Sequence, residues 1–200
     1  MKLNTYIKLY SRNELPLLLN YLDLKGIGVE VGVGVGFFSN LILERSELSV
    51  LYSVDSWEEL PTEDYDDISN VTQEEQLKNK LCTANLLGVH GKRSIILPEF
   101  SNIVANKFED NKLDFVYLDA NHKYENVKED LELWYPKVKV GGVFAGHDYF
   151  DDGIYRDGVF GVKSAVDEFI KNENQELFII KENSNLEGYN SWYFIKEEFK

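Results

Sequence analysis

The sequence predicts an α/β fold in which seven strands form a mostly parallel sheet with helices on both faces. Two observations lead to this prediction. Apolar runs of strand length alternate with segments whose apolar residues recur at helical spacing, a pattern typical of parallel strands joined by crossover helices. The last two apolar runs, 176–182 and 191–197, are separated only by a polar turn too short for a helix, so they should pair antiparallel.

The first five strands are each followed by a helical segment. The predicted strands are 26–33, 48–55, 93–97, 113–119 and 141–148. The helical segments behind them are 37–45, 73–87, 101–108, 124–134 and 162–170. The fourth run, LDFVYLD, is apolar on both faces, which is typical of a central strand. The fifth run begins at Gly141-Gly142, a pair interpreted as the turn that leads into the strand.

Two segments lie outside this alternation. Residues 1–25 are predicted to form a leading helical segment, capped near Ser11, because leucines recur there at helical spacing: Leu15, Leu18, Leu19 and Leu22. Residues 56–72 are acidic and polar, and they are interpreted as a loop or lid. The chain contains no internal repeat or low-complexity linker, so residues 1–200 are predicted to be a single domain.

Composition and charge exclude several classes of function. The net charge is −14, from 35 acidic and 21 basic residues, and such a surface repels phosphate backbones, so no nucleic-acid partner is expected. No stretch approaches the about 20 apolar residues of a membrane span. Cys82 is the only cysteine, which precludes an intrachain disulfide and suits a reducing compartment. With no secretory signal at the N-terminus, a cytoplasmic location is expected.

A glycine-rich segment, Gly32-Val33-Gly34-Val35-Gly36, lies where the first strand turns into a helix. Glycines there let the backbone approach a ligand, and the helix behind them offers free N–H groups. A dinucleotide site has the motif G-x-G-x-x-G, which after Gly32 and Gly34 would place a third glycine at position 37. That position is Phe37, so an NAD-linked oxidoreductase is only an alternative. Asp55 ends the second strand, where a carboxylate can accept hydrogen bonds from a ribose diol.

This segment resembles the opening of class I S-adenosylmethionine (SAM)-dependent methyltransferases. The resemblance implies a Rossmann-like sheet with an antiparallel C-terminal strand, and SAM as cofactor. It also implies that the cofactor is contacted by Glu30, Gly32, Gly34, Gly36 and Asp55, and we add Ser56 and Asp119 to this set. Trp57 either covers the adenine or packs as a core or lid aromatic.

A second group of polar residues follows the fourth and fifth strands. The stretch resembles a bacterial subgroup of small-molecule methyltransferases with the motifs D-x-x-H-x-Y-E and G-G-x-x-x-x-H-D-Y. The matching residues are Asp119, His122, Tyr124, Glu125, Gly141, Gly142, His147, Asp148 and Tyr149. Because ligands collect beyond the carboxyl ends of the strands in such sheets, these side chains should face the same crevice as the glycine segment.

The predicted catalytic residues are Asp119, His122, His147 and Asp148. Methyl transfer requires a group that takes the proton of the acceptor, and His147, beside Asp148, is the preferred base. In a metal-assisted alternative, Asp119, Asp148 and His147 hold a divalent cation, Mg²⁺ or Mn²⁺, at positions similar to those in catechol-type O-methyltransferases. A histidine ligand favours the softer ion. In a structural alternative, Asp119 caps the helix that starts near Lys123.

The acceptor is predicted to be a small molecule, methylated on oxygen rather than nitrogen. Methylation of nucleic-acid amino groups is disfavoured, because no N/D-P-P-Y motif follows the fourth strand. Four aromatic residues could wall an acceptor pocket, pack within a loop or form the face of a homodimer: Tyr149, Phe150, Tyr155 and Phe160. A non-catalytic SAM-binding module is a further alternative.

Overall fold

The computed structural model describes residues 8–152, 159–181 and 189–198. Its strands are β1 (Ile27–Val31), β2 (Val50–Asp55), β3 (Ser94–Pro98), β4 (Leu113–Leu118), β5 (Val138–Gly146), β6 (Asp151–Asp152), β7 (Phe160–Gly161), β8 (Phe178–Ile180) and β9 (Ser191–Ile195). Seven of them form one sheet in the order β3-β2-β1-β4-β5-β9-β8, and β6 pairs with β7 in a separate ribbon. The seven-stranded sheet confirms the predicted fold class.

Strands β1 to β5 are parallel to one another, and β9 runs antiparallel to both of its neighbours, β5 and β8. The predicted antiparallel pairing of the last two strands is therefore confirmed. The chain order reverses on either side of β1 and β4, so a crevice opens beyond the carboxyl ends of these two strands.

Helices cover both faces of the sheet, as predicted. They are α1 (Leu15–Tyr21), α2 (Phe37–Arg45), α3 (Gln73–Leu87), α4 (Ser101–Ala105), α5 (Tyr124–Trp134) and α6 (Val162–Glu173). Side chains of β4 alternate between two cores: Phe115 and Tyr117 pack on the side of α1 to α3, while Val116 and Leu118 pack on the side of α4 to α6. In the part of the chain described, no helix is long and apolar enough to cross a membrane.

The leading segment forms as the leucine pattern predicts. The hydroxyl of Ser11 accepts the N–H of Asn13 and starts a 3-10 turn, Arg12–Glu14, that continues into α1. Leu15, Leu18 and Leu19 of α1 are buried in the core that α1 shares with α2 and α3. This packing holds α1 against the sheet and carries Arg12 to the carboxyl end of β4.

The predicted turn at Gly141-Gly142 is wrong, because both glycines lie inside β5, which begins at Val138. The pairing with β4 jumps from Leu113↔Val138 to Phe115↔Val143, so the strand bulges at this point. Gly141 has a φ of +82°, which a residue with a side chain rarely adopts. The glycine pair is therefore needed for an irregularity within the strand, and not for a turn before it.

Candidate active site

A cavity of about 790 Å³ lies at the carboxyl ends of β1, β2, β4 and β5. It brings together nine residues singled out in the sequence: Glu30, Gly32, Gly34, Asp55, Ser56, Asp119, His122, His147 and Asp148. The glycine segment and the histidine–aspartate group thus share one crevice, where parallel α/β sheets bind ligands. Gly36 and Trp57 are not among the described residues that line it.

The glycine segment passes very close to the end of β4. Gly32 has a φ of +85°, and a Cβ added there would lie 2.0 Å from the carbonyl oxygen of Asp119. A side chain is therefore excluded by both the backbone conformation and the space. The last glycine of the segment, Gly36, also has a φ of +85° and precedes the first turn of α2.

Asp55 fastens the glycine segment to the end of β2. Its Oδ2 accepts the N–H groups of Val33 and Gly34, each at 2.9 Å, and its Oδ1 accepts the N–H of Trp57 at 2.8 Å. Since Asp55 also lines the cavity, it adjoins any ligand held there. Hydrogen bonding to a ribose stays a prediction, and so do the other cofactor contacts assigned from the sequence.

Trp57 holds the glycine segment through a hydrogen bond from its indole ring. Its side chain is buried, and its indole N–H donates to the carbonyl oxygen of Gly34 at 2.8 Å. The residue has a φ of +49°, which turns the chain sharply after Asp55. Of the two interpretations offered by the sequence, packing in the core fits this position, whereas an adenine cover would need the ring to face the cavity.

Glu30 lies at the floor of the cavity and is almost completely buried. The hydroxyl of Ser39 donates to its Oε2, and the hydroxyls of Ser39 and Ser53 are 2.7 Å apart. Burial raises the pKa of Glu30 to about 8 despite the hydrogen bond from Ser39. The carboxyl group is therefore mostly protonated at neutral pH.

Asp119 forms an ion pair with Arg12, a residue that the sequence analysis did not single out. The Arg12 Nη1 atom lies 2.9 Å from Oδ2 of Asp119 and donates to the hydroxyl of Tyr117 at 3.2 Å. Asp119 does not cap α5, because no side chain of the described residues makes a capping hydrogen bond at the start of this helix. The capping interpretation is therefore wrong, and Asp119 stays available at the cavity.

His122 lies between two aspartates. Its Nδ1 is 2.7 Å from Oδ2 of Asp67, and its Nε2 is 2.9 Å from Oδ2 of Asp148. The ring stacks on Phe160 with a centroid distance of 4.6 Å. Burial would lower the pKa of His122, but the neighbouring carboxylates, including Asp119, outweigh it and raise the pKa to about 12.

The two nitrogens of His122 differ in one respect. Nδ1 has a hydrogen-bond partner in Asp67. Nε2 is buried 2.9 Å from Oδ2 of Asp148, in an ion-pair contact, but it has no hydrogen-bond partner among the described residues. An orphaned buried nitrogen costs free energy unless something else binds it.

Asp148 joins the two histidines. Its Oδ1 lies 3.0 Å from Nδ1 of His147, and its Oδ2 contacts His122. Burial would raise the pKa of Asp148, but the two imidazoles lower it well below its ordinary value. Asp148 also has a φ of +52°, a left-handed conformation that aspartate adopts more readily than most residues.

The ligand atoms of Asp119, His122 and Asp148 lie within 4.8 Å of one another, a spacing compatible with one metal ion. This set shares two residues with the predicted one, and His122 takes the place of His147. His147 remains adjacent, with Nδ1 3.8 Å from Oδ1 of Asp119. Two carboxylates and an imidazole suit Mn²⁺ and similar ions better than Mg²⁺.

The described aromatic residues that follow β5 are divided between the cavity lining and the packing around it. Phe160 lines the cavity, but the hydroxyl of Tyr149 donates to Asp167 and its ring is not part of the lining. Phe150 stacks on Tyr189, which does line the cavity and was not singled out. Tyr155 lies outside the described residues.

Residues 27–149 match the profile of a family described as a methyltransferase domain. The chain belongs to this family. The matched region runs from β1 past the end of β5 and so contains both the glycine segment and the histidine–aspartate group. The match confirms the predicted methyltransferase class, and SAM as the cofactor belongs to the proposed function. No match was found among curated proteins.

Solved methyltransferase structures share the fold at low sequence identity. An O-methyltransferase from Bacillus cereus, in complex with S-adenosylhomocysteine (SAH), has a TM-score of 0.61 at 12% identity, with 92% of this chain and 80% of that chain covered. The O-methyltransferase TomG from Streptomyces achromogenes, in complex with SAM, gives 0.60 at 14% identity, covering 93% and 79%. The 1,6-didemethyltoxoflavin-N1-methyltransferase from Burkholderia thailandensis gives 0.60 at 12% identity, covering 94% and 78%. At these identities the likeness shows the fold alone.

Proposed function

We propose that this methyltransferase transfers the methyl group of SAM to a hydroxyl oxygen of a small molecule, assisted by a divalent cation held by Asp119, His122 and Asp148. The observation that carries the proposal is the buried Nε2 of His122, which faces two carboxylates without a hydrogen-bond partner among the described residues. A cation bound by these three side chains would satisfy that nitrogen and neutralise the carboxylates.

The charge of the cavity supports a small acceptor that is not a polyanion. Among the described residues that line it, Arg12 is the only lysine or arginine, and it is paired with Asp119. The acidic lining residues are Asp55, Glu58, Asp67, Glu99, Asp119, Glu129 and Asp148, besides Glu30 and Asp130, whose pKa values are raised by burial. Such a crevice repels nucleic-acid phosphates, and so does a chain of net charge −14.

The residues of the site divide the chemistry between them. When bound, the cation lowers the pKa of the acceptor hydroxyl and orients it. His147 holds Asp148 through Nδ1, so Nε2 is the nitrogen left to take the acceptor proton. The acceptor oxygen then forms a bond to the methyl carbon as the carbon–sulfur bond breaks, and the sulfur leaves as the thioether of SAH.

The proposal is tested by removing the cation and then the nitrogen. With EDTA present, we expect turnover to stop while SAM or SAH still raises the melting temperature, because a ligand of the native state stabilises it. NAD should not raise it. His122→Ala should abolish reactivation by Mn²⁺, whereas His90→Ala, outside the cavity lining, should not. Full activity in EDTA would remove the cation from the proposal and leave His147 as an unassisted base.

A further inference from the structure

We propose that Asp67 is a positioning residue that orients His122 toward the bound cation, so that the site is complete only when the loop of residues 56–72 is docked. This inference rests on the proposed function. Asp67 lies in the acidic loop between β2 and α3, 55 residues before its partner. It was not among the site residues chosen from the sequence.

The loop is docked across the connection between β4 and α5. The side chain of Lys123 donates to the carbonyl oxygen of Glu63 at 2.6 Å. Two longer hydrogen bonds, each 3.4 Å, also hold the loop. The side-chain amide of Asn121 donates to the carbonyl oxygen of Asp64, and the hydroxyl of Tyr65 donates to the carbonyl oxygen of Ala120. The loop is thus held at the segment that carries Asp119 and His122.

Asp67 is buried within a loop whose other acids are exposed. Its side chain is only 3% exposed, while Asp64 and Asp66 are exposed. Both of its oxygens are engaged, since Oδ1 accepts the N–H of Ser69 at 2.8 Å and Oδ2 pairs with His122 at 2.7 Å. Removing a carboxylate from water is unfavourable unless it is paired, so the imidazole explains why this acid turns inward.

The pairing determines which nitrogen of His122 faces the site. An ionised carboxylate only accepts hydrogen bonds, so Nδ1 must carry the proton that lies between His122 and Asp67. When a cation takes the place of the proton on Nε2, that nitrogen presents its lone pair toward Asp119 and Asp148, and stacking on Phe160 fixes the plane of the ring. A carboxylate behind a histidine ligand fixes its tautomer and orientation in just this way.

The same contact couples the loop to the cation. If the cation binds more tightly to the state in which Asp67 holds His122, then it must stabilise the docked loop by the same free energy. The cation and the loop should therefore each favour the other. A purely structural loop contact would show no such dependence.

The test uses the full-length enzyme with SAH bound. Asp67→Ala removes the acceptor, Asp67→Asn keeps an acceptor oxygen without the charge, and Asp66→Ala removes a neighbouring, exposed acid as the control. Affinity for Mn²⁺ is measured by electron paramagnetic resonance of the free ion, and kcat and KM for SAM are measured separately. Hydrogen exchange of residues 60–70 is followed with and without Mn²⁺.

For Asp67→Ala we expect a loss of about 10- to 100-fold in Mn²⁺ affinity and a lower kcat, with KM for SAM unchanged. Asp67→Asn should lose less, and Asp66→Ala should match the wild type. Mn²⁺ should slow exchange of the loop in the wild type but not in Asp67→Ala. Unchanged Mn²⁺ affinity in an Asp67→Ala enzyme that still binds SAH would overturn the inference alone. A wild type that binds no Mn²⁺ and methylates in EDTA would overturn the metal-assisted function as well.

Discussion

The close approach of the glycine segment to β4 makes a sharp prediction for Gly32→Ala. The added Cβ would lie 2.0 Å from the carbonyl oxygen of Asp119, and its next neighbour is the carbonyl carbon of Asp119 at 2.4 Å. These atoms belong to the backbone directly after β4, where the N–H of Asp119 donates to the carbonyl oxygen of Val31 at 2.8 Å, so they cannot rotate away. The φ of +85° adds a cost of about 1–2 kcal/mol for a left-handed alanine. Overpacking adds about 1–3 kcal/mol, giving about 2–5 kcal/mol in total.

Gly34→Ala is the matched control. Gly34 also has a positive φ, +56°, but a Cβ added there would meet nothing within 4 Å. It should therefore lose only the backbone share, about 1–2 kcal/mol. The free energy of unfolding of both variants is measured by urea denaturation, with equal slopes required for the comparison. Equal losses for Gly32→Ala and Gly34→Ala would contradict the claimed contact between the glycine segment and the end of β4.

Three further variants test other parts of the site. Between pH 4.5 and about 8 the unfolded chain releases the proton of Glu30 while the folded protein keeps it. This group therefore makes the wild type less stable as pH rises through the window, and Glu30→Gln should lack this contribution because glutamine does not titrate. The stability of Glu30→Gln relative to the wild type should therefore rise by about 1.4 kcal/mol for each pH unit within this window, and parallel stability curves would contradict this. Trp57→Phe removes the N–H donor to Gly34, whose carbonyl oxygen keeps the hydroxyl of Thr83 at 3.0 Å. Urea denaturation should show a loss of about 1 kcal/mol for the hydrogen bond and about 1 kcal/mol more for the space left by the smaller buried ring. Arg12→Gln removes a positive charge 2.9 Å from Asp119, so Mn²⁺ affinity should rise in an ion-binding titration. A fall in Mn²⁺ affinity would contradict the expectation that Arg12 repels the cation.

The sequence was sufficient to predict those site residues that lie directly at the carboxyl ends of strands. Asp119 and the pair His147-Asp148 each come directly after an apolar run, and the carboxyl ends of neighbouring parallel strands meet at one edge of the sheet. Topology alone therefore brought these residues to the cavity. The same rule placed Gly32 and Asp55 beside each other.

Other parts of the site carry no local signal. Arg12 reaches Asp119 across 107 residues, through the packing of α1 against the sheet. Asp67 is one of several acids in the loop, and nothing in the pattern distinguishes the buried one from Asp64 or Asp66. Gly141-Gly142 has the composition of a turn, and only the pairing of β5 with β4 makes it a bulge.

The position of Mn²⁺ in crystals grown with SAH tests the metal-assisted site most directly, since anomalous scattering locates the ion without reference to activity. We expect one peak at the carboxyl end of the sheet, within coordination distance of Nε2 of His122 and of carboxylate oxygens of Asp119 and Asp148. Crystals that bind SAH but show no peak there, or a peak bound by His147 while His122 stays away from it, would contradict the proposed site.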